Sequence, residues 1–301
     1  MNKAPKVYAV IVTYNGKKWY NKCIGYLKQS SIPVLPVIVD NASSDGTQDY
    51  IKATFPEAKF IESSDNLGFA KANNIGLRYA YDNGADYVLL LNQDAWIFTD
   101  TISLLLKTFN EHPDAGIVSP MHLNGEMDAL DFNFATNMSG DFVSDCYLNK
   151  LKADYPVPYI NAACWLISRK CIETVGGFDT NLFVHYGEDG DYCRRLIYHK
   201  FTLYISTKSR ACHDREFRRY KETEYRRYTI MPNDIKIKSE LSNILYDIDI
   251  DSYIKNCKKK LLVKLCKFEF KQYDRIKCEI ALYNNIKKSR ITNRTAGLNW
   301  L

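Results

Sequence analysis

Four short polar segments of the chain carry side chains suited to binding or catalysis: 13–15, 40–45, 66–73 and 92–94. Two more lie downstream, Glu188-Asp189-Gly190-Asp191 and Ala211-Cys212-His213-Asp214. These segments are rich in carboxylates and amides, with an imidazole at His213. Two common phosphate devices are missing. No G-x-G-x-x-G follows the first apolar run, and no G-x-x-x-x-G-K-[ST] is present. Carboxylates such as Asp94 repel phosphate unless a divalent cation lies between. Mg²⁺ and Mn²⁺ take oxygen ligands and bridge a carboxylate to a diphosphate. A nucleotide diphosphate with a metal therefore fits the segments better than either alone. Each residue also has a plainer reading. Asp94 can cap a loop, His213 can be a core residue, and acidic residues opening a helix are stabilised by its dipole.

The elements that must position these groups follow from periodicity. Apolar, β-branched runs at 7–12, 33–39, 59–61, 86–91 and 116–119 read as strands. Helical spacing marks 19–29, 46–55 and 68–83, with Asp45 and Gln48 forming a capping box before the second of these. A further helix begins near Asp100. Alternation of strand and helix predicts an α/β fold: a mostly parallel central sheet with helices on both faces. Ligands of such sheets bind beyond the carboxyl ends of the strands, where the first four polar segments fall.

The bulk composition is that of a folded protein, 46% hydrophobic and 25% charged over 301 residues. No run approaches the roughly 18 apolar residues of a membrane span, and the first residues lack a signal-peptide pattern. These features predict a cytoplasmic protein. The nine cysteines are odd in number and lack Cys-x-x-Cys spacing, so free thiols are expected rather than a disulfide framework. The net charge of +6 is carried by the tail: residues 232–301 hold 15 Lys and Arg against 8 Asp and Glu. The expected division is an α/β domain over 1–231 and a basic helical segment over 232–301. In that segment Leu261, Leu262, Leu265, Phe268 and Tyr273 form an apolar stripe among lysines. It suits a cap on the first domain, a dimer contact or an anionic membrane surface. Residues 120–158 read as a long irregular insertion with Asp128, Asp131 and Asp141, a region expected to select the acceptor.

Five motifs in order resemble family 2 glycosyltransferases with the GT-A nucleotide-diphospho-sugar transferase fold, in the form of their rhamnosyltransferase-like members. They are Val12-Thr13-Tyr14-Asn15, Val39-Asp40-Asn41-Ala42-Ser43-Ser44-Asp45-Gly46-Thr47, the segment from Asn66 to Gly76, Leu89-Leu90-Leu91-Asn92-Gln93-Asp94, and Gly176-Gly177-Phe178-Asp179 followed by Tyr186-Gly187-Glu188-Asp189-Gly190-Asp191. The resemblance spans about residues 6–215 and implies inverting transfer from a UDP- or dTDP-sugar, dTDP-rhamnose among them, to a glycan or lipid-linked glycan. It implies Mn²⁺ or Mg²⁺ as cofactor, held by Asp94 and His213, with Asn92 replacing the first Asp of the usual Asp-x-Asp. Asp189 becomes the general base, with Glu188 as runner-up and Asp191 structural. Thr13, Asp40, Asp45, Lys71, Asn92 and Gln93 become donor-binding residues, Asp40 accepting the N3–H of uracil or thymine. Trp165 and Tyr186 become the acceptor platform, stacking on sugar faces. No nucleic-acid partner is expected; peripheral contact of the tail with an anionic inner membrane face stays open beside the cap and the dimer contact. Two rivals stand beside this reading. A sugar-phosphate nucleotidyltransferase would want a longer, cationic loop after the first strand. A non-catalytic sugar-binding module would be expected to lack Asp94 or Asp189.

Overall fold

The computed structural model describes residues 4–138, 140–214 and 233–301. The expected domain boundary at 231 lies outside the described residues. Strand β1 (Val7–Thr13) pairs in parallel with β2 (Val34–Asp40) and β4 (Tyr87–Leu91), and β3 (Lys59–Glu62) adds beyond β2. Beyond β4, strand β8 (Cys164–Ser168) runs antiparallel to it and to β6 (Ala115–Leu123). Strand β9 (Thr202–His213) is parallel to β6 and antiparallel to both β5 (Ala95–Ile97) and β7 (Asp154–Val157). The α/β class and its covering helices are as expected. Parallel pairing is confined to β3-β2-β1-β4 and to β6 with β9; the remaining pairings are antiparallel.

Strand periodicity divides the core into two layers. Val7, Ala9 and Ile11 point to one face, against α1 (Tyr20–Leu27), α2 (Thr47–Thr54) and α4 (Thr101–Glu111). Tyr8 and Val10 point to the other, shared with α3 (Gly68–Asp82), α7 (Arg169–Val175) and α8 (Glu188–Tyr198). Strand β4 repeats the pattern with Leu89 and Leu91 against Val88 and Leu90. Helix α3 crosses β1 at Gly76, where a Cβ would stand 2.3 Å from Val10 Cγ1. That contact brings the start of α3 to the sheet edge that holds the polar loops.

Two expectations are corrected. Residues 120–158 are not irregular: β6 continues to Leu123, α5 (Phe132–Asn137) and α6 (Asp141–Tyr147) follow, and β7 closes the stretch. Short elements broken by Asn, Gly and Asp left no sustained period to read. The capping box is absent as well. Gln48 reaches Asp40 Oδ2 at 2.7 Å, while Asp45 accepts from the Thr47 amide at 3.0 Å.

All nine cysteines are free, as expected. The described tail forms helices at Asn233–Ser242, Ile250–Cys266 and Phe270–Arg294. Ile250, Ile254 and Ile286 pack on Leu182 and Phe183. Asn293 Nδ2 donates to the buried Asp179 Oδ2 at 3.1 Å, and the Gly177 amide donates to Asn299 O at 2.8 Å. Asn74 Nδ2 donates to both Phe178 O and Trp300 O, at 2.9 and 3.0 Å. The end of the chain is thus tied into the turn before α8. The expected stripe does not make this contact, since Leu262, Leu265 and Phe268 are exposed. Among the described residues no helix is long and apolar enough to cross a membrane.

Candidate active site

The loops after β1, β2 and β4 hold one another. Gln93 Oε1 accepts from Thr13 Oγ1 at 2.9 Å and from the Tyr14 amide at 3.0 Å. The Asn15 amide donates to Ser43 Oγ at 2.9 Å, and the Ser44 amide returns to Asn15 Oδ1 at 2.9 Å. Asn41 joins β2 to the start of α3, donating to Asn66 Oδ1 at 2.8 Å and accepting from the Leu67 amide at 2.7 Å. Between these loops lies a cavity of about 340 Å³ lined by Val12, Tyr14, Asn41, Asn66, Gly68, Phe69, Asn92, Gln93, Asp94 and His185. Among the described residues its walls carry amides, backbone, the His185 imidazole and a carboxylate, with no Lys or Arg. Phosphate bound here needs a counter-charge from elsewhere.

Asp94 and His213 meet at this edge because β5 pairs with the end of β9, Ala95 opposite His213. Asp94 Oδ1 lies 3.4 Å from His213 Nε2, and Asn92 Nδ2 is 3.4 Å from the same nitrogen. A small divalent cation about 2.1 Å from each of two neighbouring ligands would hold them about 3 Å apart. The Asp94–His213 spacing suits one ion with little movement. The other imidazole nitrogen, Nδ1, is buried without a hydrogen-bond partner, and Asp131 Oδ2 stands 3.7 Å from it. Asp131 is itself buried, and its Oδ1 caps α5 through the Phe134 amide at 3.0 Å. A carboxylate behind a metal-binding imidazole fixes its tautomer and raises its basicity. Among the described residues no group of three or more His, Cys, Asp or Glu is arranged to hold a metal. Water and ligand phosphates would have to complete the shell.

A second acidic group opens α8. Gly187, at φ 92°, turns the chain so that Glu188, Asp189 and Asp191 all fall in the first turn. Asp191 is buried and pairs with Arg195 at 2.7 Å; Arg195 also donates to Val175 O and Gly177 O, both at 2.8 Å. Its role is structural, tying α8 to the Gly176-Gly177 turn. Asp189 is partly exposed. It accepts from Tyr159 Oη at 2.9 Å and from the Gly190 amide at 2.7 Å. Burial pushes its carboxyl above the ordinary value, and hydrogen bonds from Tyr159, Gly190 and Ala162 oppose that rise. Burial, and then the charge of Asp189, push Glu188 from 4.5 up to about 7. Glu188 Oε2 is buried without a hydrogen-bond partner. Residues 162 and 163 link the two acidic groups. Ala162 hydrogen-bonds Asp189, and the next carbonyl, Ala163 O, accepts from the Asn92 amide at 2.9 Å.

The sequence profile of glycosyl transferase family 2 matches residues 8–176. The chain belongs to this family. It is similar to the dTDP-rhamnosyl transferase RfbF of Shigella flexneri, 27% identical over 209 residues that cover 69% of this chain and 68% of the relative. It is also similar to an N-acetylglucosaminyl-diphospho-decaprenol L-rhamnosyltransferase of Mycobacterium tuberculosis, 26% identical over 212 residues, 62% of this chain and 69% of that one. The mannosyltransferase PcManGT from Pyrobaculum calidifontis, solved with GDP-Man and Mn²⁺, matches with TM-score 0.57 at 17% identity. It covers 97% of this chain and 88% of its own. GalNAc-T7, solved with UDP, GalNAc and Mn²⁺, matches with TM-score 0.58 at 16% identity over 80% of this chain and about half of its own (51%). These structures establish the GT-A fold, and the family makes the protein a glycosyltransferase.

Several expected site residues are placed differently in this glycosyltransferase. Asn92, Gln93 and Asp94 line the cavity. Thr13 is fully buried and supports Gln93. Asp40 is also fully buried: Oδ2 is held by the Ser43 amide and Gln48, while Oδ1 has no hydrogen-bond partner. A base reaches Oδ1 only if the loop after β2 moves. Asp45 is exposed and serves the amides of Thr47 and Lys17. Lys71 is exposed on α3 and does not line the cavity. The acceptor platform is corrected at Trp165, which is fully buried against Phe178 and Tyr192 and offers no face to a sugar. On β8 that position points into the α3 side of the core. Tyr186 is 70% exposed, at φ 67° in the turn before α8. His185 and Tyr159 were not singled out for the site by their surroundings in sequence. Asp131 was visible only as one of three acids in 120–158, the stretch expected to select the acceptor.

Proposed function

We propose that the enzyme moves a hexosyl or rhamnosyl group, with inversion, from a pyrimidine nucleotide-diphosphate sugar to a hydroxyl of a glycan or lipid-linked glycan. The observation that carries this reading is the Asp94–His213 pair, 3.4 Å apart beside a cavity with no Lys or Arg among the described residues that line it. Asp94 and His213 hold Mn²⁺ or Mg²⁺, which when bound offsets the charge on the departing diphosphate. Asp131 fixes the His213 ring from behind. Asp40 Oδ1 accepts the N3–H of uracil or thymine once its loop opens. Asp189 takes the proton of the attacking hydroxyl. Burial raises both carboxyls, and at Asp189 hydrogen bonds from Tyr159, Gly190 and Ala162 oppose that rise. The position of Asp189 in the motif at the start of α8 and its hydrogen bonds support it as the base, with Glu188 as runner-up. Attack and departure occur on opposite faces of the sugar, so one base serves one displacement. The relatives named for rhamnosyl transfer support a deoxyhexose donor.

The test is a panel of dTDP-, UDP- and GDP-sugars incubated with the enzyme and Mn²⁺ or Mg²⁺, read as release of nucleoside diphosphate. Water serves as acceptor, so no glycan need be known. Release from a pyrimidine nucleotide sugar, dTDP-rhamnose first, is expected, and chelator should stop it. Binding of none of these donors contradicts the proposal. Activity that persists in chelator removes the metal roles of Asp94 and His213.

A further inference from the structure

We infer that the tip of the C-terminal helical hairpin is a docking surface for an anionic lipid bilayer. The hairpin is formed by Ile250–Cys266 and Phe270–Arg294, joined at Lys267 to Glu269. Ile254 and Cys257 on the first helix and Ile276 on the second are its outermost buried residues, and between Lys258 and Arg275 no residue is buried. The distal part therefore projects from the body. It carries Leu262, Val263, Leu265, Phe268 and Phe270, with Phe268 the most exposed at 77%. Phe268 occupies the joint at φ 56°, a left-handed position that glycine or asparagine fills at lower cost. An aromatic held there points to a use outside the fold.

Charge selects the occupant. Residues 255–277 hold nine Lys and Arg against two Asp and Glu, and one of the acids, Glu269, is paired with Lys264 at 2.7 Å. At 100° per residue, Lys255, Lys258 and Lys259 share the outward face with Leu262 and Leu265, set back from the tip. An apolar tip behind a collar of lysines matches acyl chains beneath anionic headgroups. A second copy of the chain is disfavoured, because two such collars repel. A nucleic-acid backbone offers nothing for Leu262, Val263 and Leu265 to bury against. The inference does not depend on the sugar chemistry proposed above.

Full-length protein is floated with vesicles of phosphatidylcholine alone and with vesicles containing about 30% phosphatidylserine, whose surface potential attracts basic segments. Binding to the second and not the first is expected, with release at about 0.5 M salt, where exposed charges are screened. Phe268→Ser with Phe270→Ser should lower binding by about tenfold or more through lost insertion. Lys258→Gln, Lys259→Gln and Lys260→Gln together should remove the preference for anionic vesicles. Both variants should keep the wild-type melting temperature and donor turnover, since neither set of residues is buried. Equal binding to both vesicle types, no binding to the anionic ones, or binding unchanged in the Phe double variant overturns the inference. So does single-stranded RNA that competes fully with the anionic vesicles.

Discussion

Replacing Glu188 by Gln separates the two adjacent carboxylates and puts a size on their interaction. In the folded protein the Glu188 carboxyl is pushed from 4.5 to about 7, by burial first and by the charge of Asp189 second. A raised acid costs nothing below about pH 4.5, where folded and unfolded forms are both protonated. The cost grows as the unfolded form ionises alone and levels off above pH 7. At about 1.36 kcal/mol per pH unit, the full penalty is about 3 kcal/mol. Glu188 is 7% exposed, so solvent screening removes little of it. Gln introduces its own constant cost of seating an amide, which cancels between two pH values. The stability difference between Glu188→Gln and wild type, from urea unfolding, should therefore move in favour of the variant by about 2–3 kcal/mol from pH 5 to pH 8. Donor turnover should survive within about tenfold, because Asp189 keeps its three hydrogen bonds. A stability difference that is the same at both pH values refutes the reasoning about burial and charge. Loss of turnover with donor binding intact transfers the base role to Glu188.

Asp131→Asn should weaken Mn²⁺ binding by about 10- to 100-fold, as loss of a supporting carboxylate does elsewhere; Mn²⁺ titration followed by paramagnetic resonance reads this without turnover. Asn can still cap α5, so melting temperature should change little, and unchanged Mn²⁺ affinity removes Asp131 from the site. Deleting residues 297–301 strips Asn74, Thr174 and Gly177 of their partners in the tail. Each broken buried hydrogen bond costs about 1–3 kcal/mol, so a marked fall in melting temperature is expected, and none would mean that the tail only lies on the surface.

The sheet edge was legible because polar clusters ended apolar runs at 13, 40 and 92, and strand ends of an α/β fold converge. The pairing of Asp94 with His213 was legible only through the resemblance. Nothing near either residue in sequence says that β5 and β9 pair. Trp165 was misjudged because an aromatic in a strand looks alike whichever face it occupies; alternation with Cys164 and Leu166 decides it only once the two cores are known. Asp131 was hidden by its stretch of short elements, and the Tyr159 hydroxyl by its distance of 30 residues from Asp189. The tail's charge was visible in composition. That its lysines collar an exposed tip, while its far end threads into the turn before α8, depends on long-range packing that no local period reports.

The central claim is that the edge holding Asp94 binds the donor while Asp189 performs the proton transfer. The most direct test is a calorimetric titration of Asp189→Asn with dTDP-rhamnose and Mn²⁺, paired with nucleotide release from the same sample. The account predicts donor affinity within about threefold of wild type, a difference under about 1 kcal/mol, with release abolished. Release at a rate near wild type would contradict it.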